Sequence, residues 1–318
     1  PRVPPRLKLV LSLIAAVVAL VWALCFEPWS WAGIEAAAGP ILYTGVLSDK
    51  TFVEGRYSGF FLHSSVNPLQ SGVPSVLTRT EDQDTGLITG GITAWNENRS
   101  WKWGSAVKLS HVVDRFLGGS HDLKTGLQYG VTGSDQLNGP NDVLTTYSVT
   151  GKTTTGVTQL PYHQGAQAFW TGTYVDDTYR LSRAVLNIGV RYDHSRGAFQ
   201  SLPFLNAKGL PTGQMSVANN DVYSWNTFSP RVGLNYQVTS SGNTVIKAHF
   251  GRYYKALEPT EFRGAVPSIS PAYSFTQDAA GVRSNIVLTS SNANLKVDPN
   301  FKGPYNNQLM FQLEQQIV

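Results

Sequence analysis

The chain has 318 residues, 42% of them hydrophobic, yet only 14% are charged, where an ordinary soluble domain carries about 25%. Its 25 Lys and Arg and 21 Asp and Glu leave a net charge of +4 without a basic cluster, which gives nucleic-acid binding no support. The one cysteine, Cys25, excludes an internal disulfide framework and a cysteine-based zinc site.

In chain order, Arg2, Arg6 and Lys8 precede an apolar run over residues 9–25. A signal peptide has an apolar region of roughly 7–15 residues and a spanning helix needs about 20. The run lies between these lengths. Residues 1–39 therefore read as a signal-peptide-like segment or an anchor helix, with a buried core helix as the third option. Small-residue patterns that suit cleavage follow at Ser30-Trp31-Ala32 and Ala36-Ala37-Ala38.

Beyond residue 39 the hydrophobic period is two, the period of a strand. Leu186, Ile188, Val190 and Tyr192 share one face, opposed by Asn187, Gly189, Arg191 and Asp193. Val232, Leu234, Tyr236 and Val238 oppose Arg231, Gly233, Asn235 and Gln237. The same alternation runs through 123–131 and 308–317. Strands are predicted at 40–48, 51–62, 101–115, 121–132, 167–181, 185–199, 227–239, 244–257 and 305–318. Most exceed the roughly 5–6 residues of a soluble strand and reach the 9–11 that a tilted strand needs to cross a bilayer.

The connections alternate strictly, short then long. Tight turns fall near residues 48–50, 116–120, 182–184 and 240–243; long loops occupy 63–100, 133–166, 200–226 and 258–304. In an antiparallel meander this puts every turn at one end and every loop at the other, as in an outer-membrane barrel. A β-sandwich fits the alternation too, with its apolar face turned inward. Polar faces of Gly, Asn, Gln, Thr and Arg, and apolar faces free of mid-strand charge, favour the all-β, antiparallel, up-and-down transmembrane barrel.

The segments HDLKTGLQY (121–129), YVDDTYRLSRAVLNIGVRYD (174–193), FSPRVGLNYQVTSSGNTVIKAHFGRYY (228–254) and DPNFKGPYNNQLMFQLEQQI (298–317) resemble the barrel of TonB-dependent outer-membrane receptors. The similarity is greatest to the subgroup with a carboxypeptidase-regulatory-like amino-terminal domain. The resemblance implies a 22-stranded barrel around a plug, at the Gram-negative outer membrane. It also implies uptake of a scarce ligand (iron chelate, cobalamin or oligosaccharide) driven by the TonB complex. About nine strands, with neither a plug-like region nor a TonB-box-like segment, read as part of such a barrel. The plug that would meet TonB then lies outside this chain. The alternatives are an anchored or secreted carbohydrate-binding sandwich and a small closed porin-like channel.

No catalytic arrangement or cofactor motif stands out. Gly151-Lys152-Thr153 lacks the earlier glycine of a phosphate loop, and the six histidines lack metal-ligand spacing. Asp176 and Asp177 alternate faces, so they cannot act as a carboxylate pair. Asp82 and Asp84 have the spacing of a weak Ca²⁺ loop but lack the later Glu that completes an EF-hand. In a barrel, Arg191, Arg231, Asn235, Gln237, Gln312 and Glu314 line the lumen. Trp101, Trp103, Trp170, Tyr253 and Tyr254 suit interfacial girdles. Tyr273, Phe275 and Arg283 are the loop residues best suited to meet an external ligand.

Overall fold

The computed structural model describes residues 40–66, 80–89, 94–140, 145–149, 153–278, 280–291, 295–298 and 300–317. The apolar run of residues 9–25, with the helix expected of it, lies outside the described residues. So do Gly151 and Lys152.

The described residues form seventeen strands: β1 (Ile41–Ser48), β2 (Thr51–Val66), β3 (Thr80–Asp82), β4 (Ile88–Thr89), β5 (Ala94–Phe116), β6 (Gly119–Pro140), β7 (Thr145–Val149), β8 (Thr153–Gln159), β9 (Tyr162–Leu181), β10 (Ala184–Phe199), β11 (Pro203–Leu205), β12 (Pro211–Met215), β13 (Asn219–Gln237), β14 (Thr244–Tyr254), β15 (Ala272–Gln277), β16 (Arg283–Ser290) and β17 (Tyr305–Gln315). Nine form one antiparallel sheet in the order β1-β2-β5-β6-β9-β10-β13-β14-β17. Chain order and sheet order agree, so this is a meander. Within the described residues β1 and β17 are its two edges.

The nine strands occupy the positions that period two indicates, but several run further at the loop end. β5 has 23 residues and β6 has 22. There the sequence is polar (Asn98, Arg99 and Ser100 against Gln136, Asp135 and Ser134), which hides the strand from hydrophobic patterning. Cross-strand pairing nonetheless continues from Val113↔His121 to Ala94↔Pro140.

The tight ends have local causes. Leu117 and Gly118 both hold positive φ, 51° and 82°, the twist-matched two-residue hairpin geometry. Between β13 and β14, Gly242 (φ 77°) donates its N–H to the Thr239 carbonyl, and the Thr239 hydroxyl accepts the Thr244 N–H. Lys50, in the first turn, pairs with Asp114 at 2.9 Å.

The two faces differ in cover. Along β13, Tyr223, Trp225, Thr227 and Ser229 are buried while Ser224, Asn226, Phe228 and Pro230 are exposed. The uncovered side carries Leu127, Val190, Val232, Leu309 and Phe311, with Ile188 52% and Phe228 60% exposed. Each large apolar side chain left in water forgoes roughly 1.5–3 kcal/mol of burial. A row of them cannot be the solvated face of a soluble sheet.

The covered side packs beneath the chain that follows β14. Two short 3-10 turns, Pro259–Glu261 and Arg263–Ala265, cross back over it. Leu257, Phe262 and Val266 pack on Ala166, Ala168, Phe199, Leu202, Tyr223 and Trp225. This is the one buried apolar cluster of size among the described residues. It sits on the face whose strands otherwise read as polar, at the loop end. Six loop strands form a second sheet, β16-β15-β8-β7-β3-β4, and β11 pairs with β12. The long connections are thus built structures rather than open loops.

Candidate functional site

The polar face of the nine-stranded sheet is the candidate site. Strand register places Lys124, Asp176, Gly189, Arg231, Gly251 and Gln308 in one row across six strands. Arg56, Ala106, Gln128, Gly172, Asp193 and Thr227 form another. Charges here are mostly paired within the face: Lys108 with Glu54, Lys247 with Glu314, and Lys124 with Asp122 at 3.0 Å. Such pairing lets a sheet carry charge at mid-strand without an isolated ion.

Arg191 makes a two-pronged contact with Asp193, Nε to Oδ2 at 2.7 Å and Nη2 to Oδ1 at 2.5 Å. Gly172 makes room for it, since a Cβ there would lie 2.3 Å from Arg191 Nη2. Arg231 lies flat over Tyr253, 5.2 Å from the ring centroid, and its Nε is buried without a hydrogen-bond partner. Gln312 donates to Glu314 at 3.1 Å. Asn235 stands opposite Lys247. Gln237 begins the turn, its backbone N–H donated to the Arg183 carbonyl. These six lumen candidates therefore share one face. Gln312 and Glu314 are open to solvent because β17 is an edge.

The aromatic expectations divide. Trp101, Trp103 and Tyr254 stand on the apolar face, where Tyr57 stacks on Trp103 and Tyr254 meets Tyr305. Trp170 and Tyr253 do not. Trp170 lies over Gly130 and Tyr253 over Gly251, both on the polar face. The correction follows from alternation: Trp170 is in register with Gly130 and Ser195, not with Val131 and His194.

The loop candidates also divide. Phe275 is 2% exposed, wedged over Gly156 with the Arg283 guanidinium 4.5 Å above its ring. That pair holds the loop sheet together, which removes Phe275 from contact with an external ligand. Tyr273 is open to solvent, opposite Thr158 and Leu288. The Asp82 carboxylate accepts the N–H groups of Asp84 (2.9 Å) and Thr85 (3.1 Å). It caps the β3–β4 turn. Among the described residues no group of three His, Cys, Asp or Glu converges as metal ligands.

Sequence reasoning missed the segment after β14. Arg263 donates to the Ser134 hydroxyl at 2.8 Å, Ser268 to the His163 carbonyl, and Gln159 to the Ser270 carbonyl. Lys255 pairs with Glu261, which holds the ammonium above the usual lysine range. The one signal in the sequence was apolar Leu257, Phe262 and Val266 inside a loop. It missed a second pairing as well. His121, on the apolar face at the turn end, is hydrogen-bonded to Asp177 at 2.7 Å and to the Phe116 carbonyl, and stacks 4.3 Å from Tyr179.

The family model for an outer membrane beta barrel domain matches residues 89–318. The chain belongs to the outer membrane beta barrel domain family. Its place is the outer membrane of a Gram-negative bacterium. No curated protein matches the chain. The match spans β5 through β17 and includes the Lys124–Asp122, Arg191–Asp193 and Lys247–Glu314 pairs and the segment after β14. In an outer-membrane barrel domain the uncovered apolar face and the polar face have separate tasks, one toward hydrocarbon and one toward the lumen.

Proposed function

We propose that this chain forms wall and lumen of a TonB-dependent outer-membrane transporter that takes up a scarce ligand, an iron chelate, a cobalamin or an oligosaccharide. The observation that carries this reading is the asymmetry of the sheet. One side is apolar and uncovered, and lipid covers it; the other is polar, charge-paired and overlaid by residues 255–271. The likeness of residues 121–129, 174–193, 228–254 and 298–317 to such receptors adds the energised mode of uptake. No catalytic residue and no cofactor enter it. A plug domain would engage the TonB complex, and the wall described here would face that plug and the ligand.

The test is uptake of labelled ligand by cells that express the protein, with and without a working TonB complex. Uptake that stops when the complex is removed supports the reading. Conductance or liposome swelling by the purified protein alone, with uptake indifferent to TonB, overturns it in favour of a diffusion channel.

A further inference from the structure

The polar face holds a cleft of about 540 Å³ between β2, β5, β6 and β9, within the roughly 300–1,000 Å³ of small-molecule sites. Its lining includes Gly104, Gln128 and Trp170, and Gly104 stands opposite Gly130 on β6. Trp170 lies flat on Gly130, in a space where a Cβ would come within 1.9 Å of the ring. The lack of side chains thus seats an indole as a platform. From the loop end Lys102 reaches over the Trp170 ring, its Nζ 5.6 Å from the centroid. Arg56 flanks the cleft toward the turn end, in one row with Gln128. Both cations are exposed, and among the described residues neither has a carboxylate partner. The acids nearby are committed elsewhere: Glu54 to Lys108, Asp193 to Arg191.

On a face where Lys108, Lys124, Arg191 and Lys247 each meet a carboxylate, two exposed cations without one, beside an aromatic platform, call for an anion with a ring. We propose that this cleft binds an acidic oligosaccharide. The pyranose C–H face rests on Trp170, the uronate carboxylates meet Lys102 and Arg56, and the Gln128 amide takes a hydroxyl. Each carboxylate that meets one of these cations gains a charge-assisted hydrogen bond, and the indole supplies apolar contact that a bare anion cannot use. This proposal rests on the uptake reading and narrows its ligand to one class.

The experiment is titration calorimetry on the full chain in detergent micelles, with a galacturonate oligomer and a neutral glucose oligomer of equal length. The acidic oligomer binds, and Lys102→Gln or Arg56→Gln weakens it about tenfold, as loss of roughly 1.4 kcal/mol would. Trp170→Phe keeps the fold and part of the affinity. Equal binding of both oligomers, unchanged affinity in both cation variants, or binding of a catecholate but not the acidic sugar each overturns the proposal. Heat-modifiable migration confirms that each variant is folded. The uptake reading fails separately: acidic-sugar binding by a protein whose uptake ignores TonB keeps the site and removes the transporter. TonB-dependent uptake of another ligand, with no acidic-sugar binding, does the reverse.

Discussion

Leu117 holds φ at 51°, a region that costs a residue with a Cβ roughly 1–2 kcal/mol. Asn tolerates it far better, and the Leu117 backbone carbonyl, which accepts the Tyr179 hydroxyl at 2.5 Å, is kept in such a variant. Leu117→Asn is expected to stabilise the protein by about 0.5–1 kcal/mol, read as a raised denaturant midpoint in micelles; a lowered midpoint would contradict the turn geometry. Glycines under aromatic rings act in the opposite sense. A Cβ on Gly133 would lie 2.1 Å from the Trp101 ring, so Gly133→Val has to eject the indole. The expected loss is about 1–3 kcal/mol, the range of overpacking, seen in unfolding and in altered tryptophan emission. His121 shows a third residue-scale device. Its partners Asp177 and the Phe116 carbonyl keep its ring satisfied on an otherwise apolar face, next to the turn.

At the scale of the strand, alternate residues meet different media. Ile188 and Val190 lie on the uncovered apolar face, and Asn187, just before Ile188, lies on the polar one. On the membrane reading, Val190→Arg places a guanidinium in hydrocarbon and costs about 2–4 kcal/mol. Asn187→Arg is expected to change stability by less than about 0.5 kcal/mol, as surface substitutions usually do. Equal costs in a lipid-based refolding assay would mean the faces are misassigned. The segment after β14 has its own test. Phe262 is 4% exposed and meets Tyr223 edge-on at 5.0 Å and Phe199 at 5.8 Å. Phe262→Ala removes about 3–5 kcal/mol of local packing. Because Phe262 is the largest of the apolar side chains that hold residues 255–271 down, beside Leu257 and Val266, that loss is expected as faster proteolysis within the segment while the sheet stays folded. Cleavage rates unchanged from wild type would show that the hydrogen bonds from Arg263 and Ser268 suffice.

At the scale of the molecule, strict alternation of turns and long connections sorts the two ends of the sheet. Lys208 and Gly281 lie among the long connections; Ser241 lies in a tight turn. In a Cys25→Ser background, Lys208→Cys and Gly281→Cys are expected to react with a membrane-impermeant maleimide on intact cells. Ser241→Cys is expected to react only after the outer membrane is opened. The reverse pattern would invert the topology and place residues 255–271 at the periplasmic end.

Fold class and strand direction were legible in the sequence because period two is local: Ile188, Val190 and Tyr192 declare a face whatever lies beside them. That same locality placed Arg191, Arg231, Asn235, Gln237, Gln312 and Glu314 on one side. Period two does not say which side a strand-end aromatic takes once its register is unknown, so Trp170 and Tyr253 were assigned to the wrong face. It is silent where both faces are polar, hence the missing loop-end stretches of β5 and β6, residues 94–100 and 133–140. The tertiary structure alone decided what covers the polar face. The contact of Phe262 with Phe199 and Tyr223 joins residues far apart in the chain, and the fit of Trp170 over Gly130 depends on two strands paired in one register. Such contacts arise from pairing and packing across the whole sheet, which no window of sequence contains.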